Sequence, residues 1–242
     1  MPDRLCVISD IHGNLEALEK VLGLLEDYNC PVICLGDIVG YGANPNECVS
    51  LIKDRQIKSV MGNHDAAAVG LIDLNWFNPI AKRAIKWTTN KLTTESKSFL
   101  KSQKKSIKIG EAFMVHGSPM DPITEYVSNI FVANNCFEFL EEDITLVGHT
   151  HVPLSFTYNR DQIKVEHYIN GGKFTINGRC ILNPGSVGQP RDGNQMASYA
   201  VLDFKNKEFF VYRTHYDINL ASKKILDSGL PEFLASRIRI GI

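Results

Sequence analysis

Five short apolar runs recur between residues 5 and 147, and each one ends at a polar or glycine-containing segment. Runs of this length, rich in β-branched side chains and bounded by turn residues, are typical of strands that are buried on both faces. Amphipathic helical patterns separate most of them, and this alternation predicts an α/β fold. The predicted strands are Leu5–Ile8, Val32–Leu35, Ile57–Met61, Ala112–Val115 and Ile144–Val147.

Four helices are predicted in the first half of the chain, each beginning at a residue type that favours helix N-termini. The predicted first residues are Asn14, Asn44, Asn78 and Thr93. In the second helix we expect the side chain of Asn44 to cap the first turn, with Pro45 at the first helical position and Glu47 closing a capping box.

The pattern changes after residue 151, where shorter strands joined by tight turns replace the alternation with helices. The expected strands are Leu154–Tyr158, Gln162–Ile169, Lys173–Ile176, Ser198–Phe204 and Glu208–Arg213, followed by a helix over about Asn219–Ser228. The sequence contains no repeat and no low-complexity linker. We therefore expect residues 1–242 to form a single domain.

Composition and charge narrow the class of protein. The 26 Lys and Arg residues balance 27 Asp and Glu residues, which disfavours a polybasic nucleic-acid-binding surface, and the lysines of residues 82–108 fit a solvated helical face. No run of about eighteen apolar residues is present, as a membrane-spanning helix would need, and the N-terminus lacks a signal-peptide pattern. Six cysteines without a C-x-x-C pair indicate a reducing compartment. We expect a cytoplasmic protein that binds neither nucleic acid nor membrane; the oligomeric state stays open.

Each of the five predicted strands is followed at its carboxyl end by Asp, Asn or His. Ligands of open α/β sheets bind outside the carboxyl ends of the strands. A single Asp after a strand is more often a helix cap, but five strands out of five are hard to explain by capping. The candidate metal ligands are Asp10, His12, Asp37, Asn63, His116, His149 and His151.

Two of these residue pairs, Asp10/His12 and His149/His151, have i, i+2 spacing, which places both side chains on one side of an extended chain. Oxygen and imidazole ligands without a thiolate suit Mn²⁺, Fe or Zn²⁺ better than Ca²⁺ or a structural zinc site. Seven ligands exceed what one four-coordinate ion needs. Two ions that share a carboxylate would use all seven, and two metals about 3.5–4 Å apart are a known arrangement for displacement at phosphorus.

Taken in order, these motifs resemble the signature of the calcineurin-like metallophosphoesterases. They are D-x-H at Asp10–His12, G-D-x-x-G at Gly36–Gly40, G-N-H-D at Gly62–Asp65, His116, and G-H-T-H at Gly148–His151. The segment Asn183–Gly188 also looks like the one that closes such domains on one edge. The resemblance implies a four-layer α-β-β-α sandwich of two mixed sheets flanked by helices.

The resemblance also implies a role for each ligand. Two divalent metals would share the carboxylate of Asp37, and a hydroxide bridging them would be the nucleophile. The remaining ligands would divide into Asp10, His12 and His151 for the first metal and Asn63, His116 and His149 for the second. Mn²⁺ or Fe is expected, with Zn²⁺ and Ni²⁺ as alternatives that the same ligands accept.

Four further residues have candidate roles in catalysis or substrate binding. By resemblance, His64 would protonate the leaving oxygen or stabilise its charge, and Asp65 would hydrogen-bond to His64 and fix its tautomer; capping of the following turn is the alternative for Asp65. Asn63 and His64 would contact the substrate. Tyr41 and Arg191 lie in loops that could overhang the site, where Arg191 would be either a phosphate-binding fork or a solvated loop arginine.

The second motif departs from the branches that act on phosphoproteins and on diadenosine tetraphosphate, which resemble G-D-x-x-D-R-G. Residues Gly36–Gly42 lack that Asp-Arg pair, whereas Gly36–Glu47, Ser186–Gly193 and Gly229–Leu234 resemble small prokaryotic-type phosphoesterases. The expected function is hydrolysis of a small phosphodiester or phosphomonoester, with nucleotides among the candidates. The alternatives are a non-catalytic interaction scaffold, which would be expected to lose ligands or His64, and, less favoured on charge and length, a nuclease or a protein phosphatase.

Overall fold

The computed structural model describes residues 2–140, 142–160 and 162–242. The strands in this part of the chain are β1 (Arg4–Ile8), β2 (Val32–Cys34), β3 (Lys58–Ser59), β4 (Ser106–Ile109), β5 (Ala112–Val115), β6 (Ile144–Leu146), β7 (Leu154–Asn159), β8 (Gln162–His167), β9 (Gly172–Thr175), β10 (Arg179–Asn183), β11 (Ala197–Asp203) and β12 (Glu208–Thr214). The α-helices are α1 (Leu15–Leu25), α2 (Pro45–Asp54), α3 (Asn63–Ala68), α4 (Pro79–Lys91), α5 (Thr94–Lys101), α6 (Ile130–Phe139), α7 (Ile218–Asp227) and α8 (Glu232–Ile238).

The strands form two six-stranded sheets, each with parallel and antiparallel pairs. The first sheet has the order β3-β2-β1-β11-β12-β9, and its parallel part is β1 with β2 and β3. The second has the order β4-β5-β6-β10-β7-β8, and its parallel part is β5, β6 and β10. The five strands expected from the apolar runs are therefore divided between two sheets.

The buried strands are apolar at nearly every position because both of their faces are buried. Along β1, Leu5 and Val7 join the core between the sheets, whereas Cys6 and Ile8 point to the other face and pack with the helices that include α1 and α2. On the outer face of the second sheet, α6 contributes Phe137 to a separate cluster. Successive strand residues point to opposite faces, so this alternation produces four layers. The predicted α-β-β-α sandwich of two mixed sheets is confirmed.

Most of the predicted elements are present, with two corrections in the first half of the chain. The third predicted strand is reduced to Lys58–Ser59 and a single bridge between Val60 and Lys104. The predicted cap of α2 is wrong: the amide of Asn44 donates to the carboxylate of Glu47 at 3.1 Å, and its side chain makes no hydrogen bond to the backbone of the first turn.

Several elements were not predicted, because they lack a clear local pattern. The helix α3 has only six residues, and α6 has large apolar side chains on its exposed face, among them Phe131 and Phe139, which obscure the helical spacing. The strands β4 and β10 and the helix α8 were also missed.

The cysteines are free thiols, as expected, and all are buried or half-buried. One contact between them was not predicted: the Sγ atoms of Cys6 and Cys30 lie 2.9 Å apart. In the described part of the chain, no helix has the length and hydropathy that crossing a membrane would require.

Candidate metal centre

The ligand-bearing loops leave their strands with an unusual backbone. Positive φ angles between 52° and 66° occur at five of the seven candidate ligands, namely Asp10, His12, Asp37, His149 and His151. A non-glycine residue in this left-handed region costs on the order of 1 kcal/mol. The strain is tolerated because it turns these side chains away from their strands and towards one point, where the two sheets meet.

The structure brings all seven candidate ligands together and buries them. One group consists of Asp10, His12, Asp37 and His151, whose ligand atoms lie within 4.8 Å of one another. The Nε2 atom of His12 lies 3.1 Å from Nε2 of His151 and 3.5 Å from Oδ2 of Asp37, while Nε2 of His151 lies 3.4 Å from Oδ1 of Asp10.

A second group contains Asp37, His116 and His149. The Nε2 atom of His116 is 3.1 Å from Nδ1 of His149, 3.1 Å from Oδ1 of Asn63 and 3.5 Å from Oδ2 of Asp37. Asp37 is therefore the one residue that belongs to both groups, as the sequence-based assignment requires.

The imidazoles of the four ligand histidines are oriented by backbone carbonyls. In each ring one nitrogen faces the cluster, and the other lies 2.6–3.2 Å from a carbonyl oxygen. The pairs are His12 with Val39, His116 with Leu35, His149 with Thr124, and His151 with Gln189. Because a carbonyl can only accept, the N–H of a neutral ring lies on its side and the lone pair faces the cluster. This arrangement is typical of metal-ligating histidines.

Two buried carboxylate oxygens, Oδ1 of Asp10 and Oδ2 of Asp37, have no hydrogen-bond partner among the described residues. Leaving such oxygens buried without a partner is costly. Divalent cations would satisfy both oxygens and the imidazole lone pairs that face them. The donor set therefore fits one or two divalent metals with mixed oxygen and nitrogen ligands.

Burial and mutual charge shift the pKa values within this cluster. Burial raises the pKa of Asp10 to about 7. Burial opposes charge on His116 as well, but the adjacent carboxylate of Asp37 raises its pKa to about 9. For Asp37, burial is outweighed by the surrounding imidazoles, chiefly His116 and His64, which hold its pKa well below the usual range. Burial lowers the pKa of His149 to about 3, so this ring is neutral.

Metal binding should therefore release protons at neutral pH. At pH 7 the metal-free protein keeps His116 protonated and Asp10 partly protonated, and a metal requires both in the deprotonated form. We expect the affinity for Mn²⁺ to be highest above pH 9 and to fall about tenfold per pH unit below it, and more steeply below pH 7. Calorimetric titration in buffers of different ionisation enthalpy counts the released protons; a count of zero at pH 7 would contradict the prediction.

Two motif glycines are needed because side chains pack against their α-carbons. A Cβ atom at Gly40 would lie 2.7 Å from Nδ1 of both His12 and His64. A Cβ atom at Gly62 would overlap the carboxylate of Asp37. The glycines of the second and third motifs thus leave the space that the ligand side chains occupy.

The predicted closing segment, Asn183–Gly188, joins the site edges of the two sheets. Its Ser186 hydroxyl donates to the carbonyl of Asp10 at 2.8 Å, and the backbone N–H of Gly188 donates to the same carbonyl at 3.0 Å. The Asn183 amide donates to the carbonyl of Gly148 at 2.7 Å. The segment therefore holds the first and last ligand loops in place.

His64 lies beside the cluster, 4% exposed, with its ring centroid 4.8 Å from that of His12, 4.4 Å from Tyr41 and 5.2 Å from Phe77. Burial lowers its pKa to about 4. The Nδ1 atom is buried and has no hydrogen-bond partner in the described part of the chain. This ring is therefore held by packing, and one of its nitrogens is buried without a partner among the described residues.

The predicted hydrogen bond between Asp65 and His64 is wrong. The carboxylate of Asp65 accepts instead from the backbone N–H groups of Val39 at 3.0 Å and Gly62 at 3.2 Å. The two residues are consecutive in α3, and side chains one position apart on a helix do not face each other. Asp65 thus caps α3 and ties its first turn to the Asp37 loop, which is close to the capping alternative.

Replacing Asp65 with alanine should lower stability. The change leaves two buried backbone donors without an acceptor, which costs about 1–3 kcal/mol. Urea unfolding of the metal-free protein measures this loss, and Asp73→Ala, which removes the carboxylate that caps a short exposed turn at Asn75, is the matched control with a smaller effect. Unchanged stability in Asp65→Ala would contradict the capping role.

The loop candidates Tyr41 and Arg191 both lie beside the cluster. The Tyr41 side chain is 6% exposed, and the centroid of its ring lies 4.7 Å from that of His12. The guanidinium carbon of Arg191 lies 5.7 Å from the centroid of the Tyr41 ring. Their binding of substrate stays a prediction. By contrast, His167 and His215 are exposed and lie outside the cluster, as expected.

Three residues beside the site were not predicted from the sequence. Phe77 packs against His64, Tyr126 stacks on His149 with centroids 3.6 Å apart, and the guanidinium of Arg237 lies 5.8 Å from the Tyr41 centroid. None stands in a motif, because each reaches the site from a segment distant in sequence. A search for aromatic or basic residues would not have distinguished them from surface residues.

The sequence and the fold were compared with those of known proteins. The model of the calcineurin-like phosphoesterase superfamily domain matches residues 4–207. An uncharacterized protein of Methanocaldococcus jannaschii is 40% identical over 98% of both chains. A metallophosphoesterase crystal structure from Sphaerobacter thermophilus is 39% identical, with a TM-score of 0.87 over 100% of both chains. A hypothetical protein from Pyrococcus horikoshii OT3, 21% identical, shares the fold with a TM-score of 0.80 over 99% of this chain and 98% of that one.

Proposed function

The chain belongs to the calcineurin-like phosphoesterase superfamily, and on this basis we propose that it is a two-metal phosphoesterase acting on a small phosphodiester or phosphomonoester. The observation that carries the proposal is the position of Asp37, whose Oδ2 atom lies 3.5 Å from Nε2 of both His12 and His116. One carboxylate between two groups of imidazoles is what two cations sharing a ligand require.

The protein supplies two binding sets for these cations. Asp10, His12 and His151 would hold one metal, Asn63, His116 and His149 the other, and Asp37 both. Bound there, divalent metals activate water and neutralise the charge of phosphoryl oxygens. The backbone carbonyls behind the histidines keep each lone pair directed inwards, so the ligands need no rearrangement.

His64 is the residue assigned to the leaving group. It is next to Asn63 but belongs to neither ligand group, and its buried Nδ1 atom has no hydrogen-bond partner within the described residues. In this proposal the imidazole hydrogen-bonds to the leaving oxygen and assists its departure, a role that contributes on the order of 10²–10⁴-fold to rate. Asp65 supports it indirectly, through the start of α3.

Metal identity, location and partners are part of the same proposal. Mn²⁺ or Fe suits the oxygen and imidazole donors, and Zn²⁺ and Ni²⁺ are alternatives. The substrate is a small phosphorylated molecule, nucleotides being candidates, and neither nucleic acid nor membrane is a partner. A cytoplasmic setting is consistent with free thiols that are buried or half-buried.

One experiment tests the proposal directly. The purified protein is stripped with chelator, reloaded with Mn²⁺, Fe²⁺, Zn²⁺ or Ni²⁺, and assayed with mono- and bis-p-nitrophenyl phosphate and a nucleotide panel, while bound metal is measured on the same samples. We expect up to two ions per chain and hydrolysis that depends on them. Absence of hydrolysis with every metal and substrate would overturn the proposal.

A further inference from the structure

Two arginines lie beside Tyr41, an aromatic ring that packs against the ligand cluster. The guanidinium carbons of Arg191 and Arg237 lie 5.7 Å and 5.8 Å from the centroid of Tyr41. The Tyr41 ring in turn lies 4.7 Å from the ring of His12 and 4.4 Å from that of His64. Arg191 comes from the loop after β10, and Arg237 comes from α8, so two distant segments converge here.

Arg191 has only neutral hydrogen-bond partners among the described residues, and Arg237 has no side-chain partner there. Arg191 donates to Oε1 of Gln189 at 2.9 Å and to the hydroxyl of Tyr126, while its buried Nε atom has no partner. Arg237 donates to the main-chain oxygen of Ile242 at 2.5 Å.

The carboxylate that follows Arg191 in the chain does not neutralise this charge. Asp192 is in a buried ion pair with Arg213. In the described part of the chain, neither Arg191 nor Arg237 forms an ion pair with an Asp or Glu side chain. Other arginines do have such partners, for example Arg4 with Asp203.

Two like charges held close together are unfavourable. Burial lowers the pKa of Arg237 to about 10, and the charge of Arg191 lowers it as well. The side chain is still protonated at neutral pH, so the repulsion is real. An anion bound by both groups would relieve it, and a phosphoryl group suits the planar, two-pronged donors of arginine.

We propose that Arg191 and Arg237 bind a second phosphoryl group of the substrate, beyond the one that the ligand cluster receives. This inference rests on the proposed function, and it narrows the substrate class to compounds with phosphoryl groups in tandem, such as nucleoside diphosphates and longer polyphosphates. Tyr41 contacts both arginines and also the rings of His12 and His64, so the second phosphoryl group would lie next to the one at the cluster. Tyr126, 47% exposed and stacked on His149, also accepts a hydrogen bond from Arg191.

Binding measurements on the manganese-loaded protein test this arrangement. The probes are AMP and the non-hydrolysable α,β-methylene-ADP, which differ in the second phosphoryl group, and the readout is the ratio of their dissociation constants by calorimetry. We expect wild type to bind α,β-methylene-ADP about ten- to a hundredfold more tightly. Arg191→Gln and Arg237→Gln should each reduce that ratio to within about threefold of unity.

The matched control is Arg239→Gln, which lies two residues further along the chain and whose guanidinium donates to Ser222 and Asn219 instead. Its ratio should equal that of wild type. An equal loss of AMP affinity in the Arg237 variant would overturn the inference, because the arginine would then hold the group at the cluster. A wild-type ratio near unity would also overturn it.

An assay of bis-p-nitrophenyl phosphate hydrolysis by wild type and Arg239→Gln distinguishes failure of the second phosphoryl site from failure of the proposed phosphoesterase activity. Hydrolysis without a preference for α,β-methylene-ADP overturns the second phosphoryl site alone. The preference without hydrolysis of any ester, with any metal, leaves a two-phosphoryl binding site and overturns the proposed catalytic function.

Discussion

Asp37→Asn is expected to abolish turnover and to loosen both metals at once. The asparagine keeps the shape of the side chain and tolerates the left-handed backbone at this position, where φ is 54°, so the fold should be retained. It removes the negative charge that faces His12 and His116 and that both metals would share. We expect a rate loss of at least about 10²–10³-fold, the scale for removing one preorganised electrostatic group.

Metal analysis and kinetics on the same sample check this prediction. Asp203→Asn is the matched control, since Asp203 is also a buried carboxylate but pairs with Arg4 at the opposite end of β1. The control should keep its metal content and its activity. Wild-type metal content together with wild-type activity in Asp37→Asn would show that this carboxylate is not shared between two metals.

His64→Ala is expected to retain the metals and lose most of the rate. The His64 side chain belongs to neither ligand group, and it contacts the rings of His12, Tyr41 and Phe77. With an alkoxide leaving group we expect a loss of about 10²–10⁴-fold in kcat, because the leaving oxygen loses the hydrogen bond that assists its departure. With p-nitrophenolate, a stable anion, the loss should be much smaller.

The ratio of the two losses is the diagnostic measurement. A structural defect would slow both substrates equally, whereas a leaving-group role slows only the one with the basic leaving oxygen. His167→Ala, at an exposed position of β8, is the control and should behave as wild type. Equal losses for both substrates, or loss of metal from His64→Ala, would contradict the assignment.

Much of the site could be predicted because its ligands follow strands directly. A buried strand is apolar over most of its length, so the polar residues just after it mark its carboxyl end, as Ser9 and Asp10 do after β1 and Asp37 does after β2. Parallel neighbours present these ends at one edge. The order of the motifs then allowed the remaining ligands to be assigned, and the structure brings all seven together.

The errors arose where a side chain had several polar groups within reach. Asp65 could bond to its neighbour His64 or to the backbone, and the helical geometry of α3 decided for Val39 and Gly62. Asn44 likewise could cap α2 or pair with a side chain, and it pairs with Glu47. Local sequence does not distinguish such options, since their free energies differ by about 1 kcal/mol.

The amino-acid sequence by itself determined the alternating strands and helices, the candidate metal ligands and the near-zero net charge, because these depend on local spacing and composition. Only the tertiary structure decided that the ligand strands belong to two sheets, that backbone carbonyls orient the histidines, and that Arg237 from α8 reaches the Tyr41 ring beside Arg191. These features depend on contacts between segments far apart in the chain. Their energies come from packing and burial, which no short stretch of sequence contains.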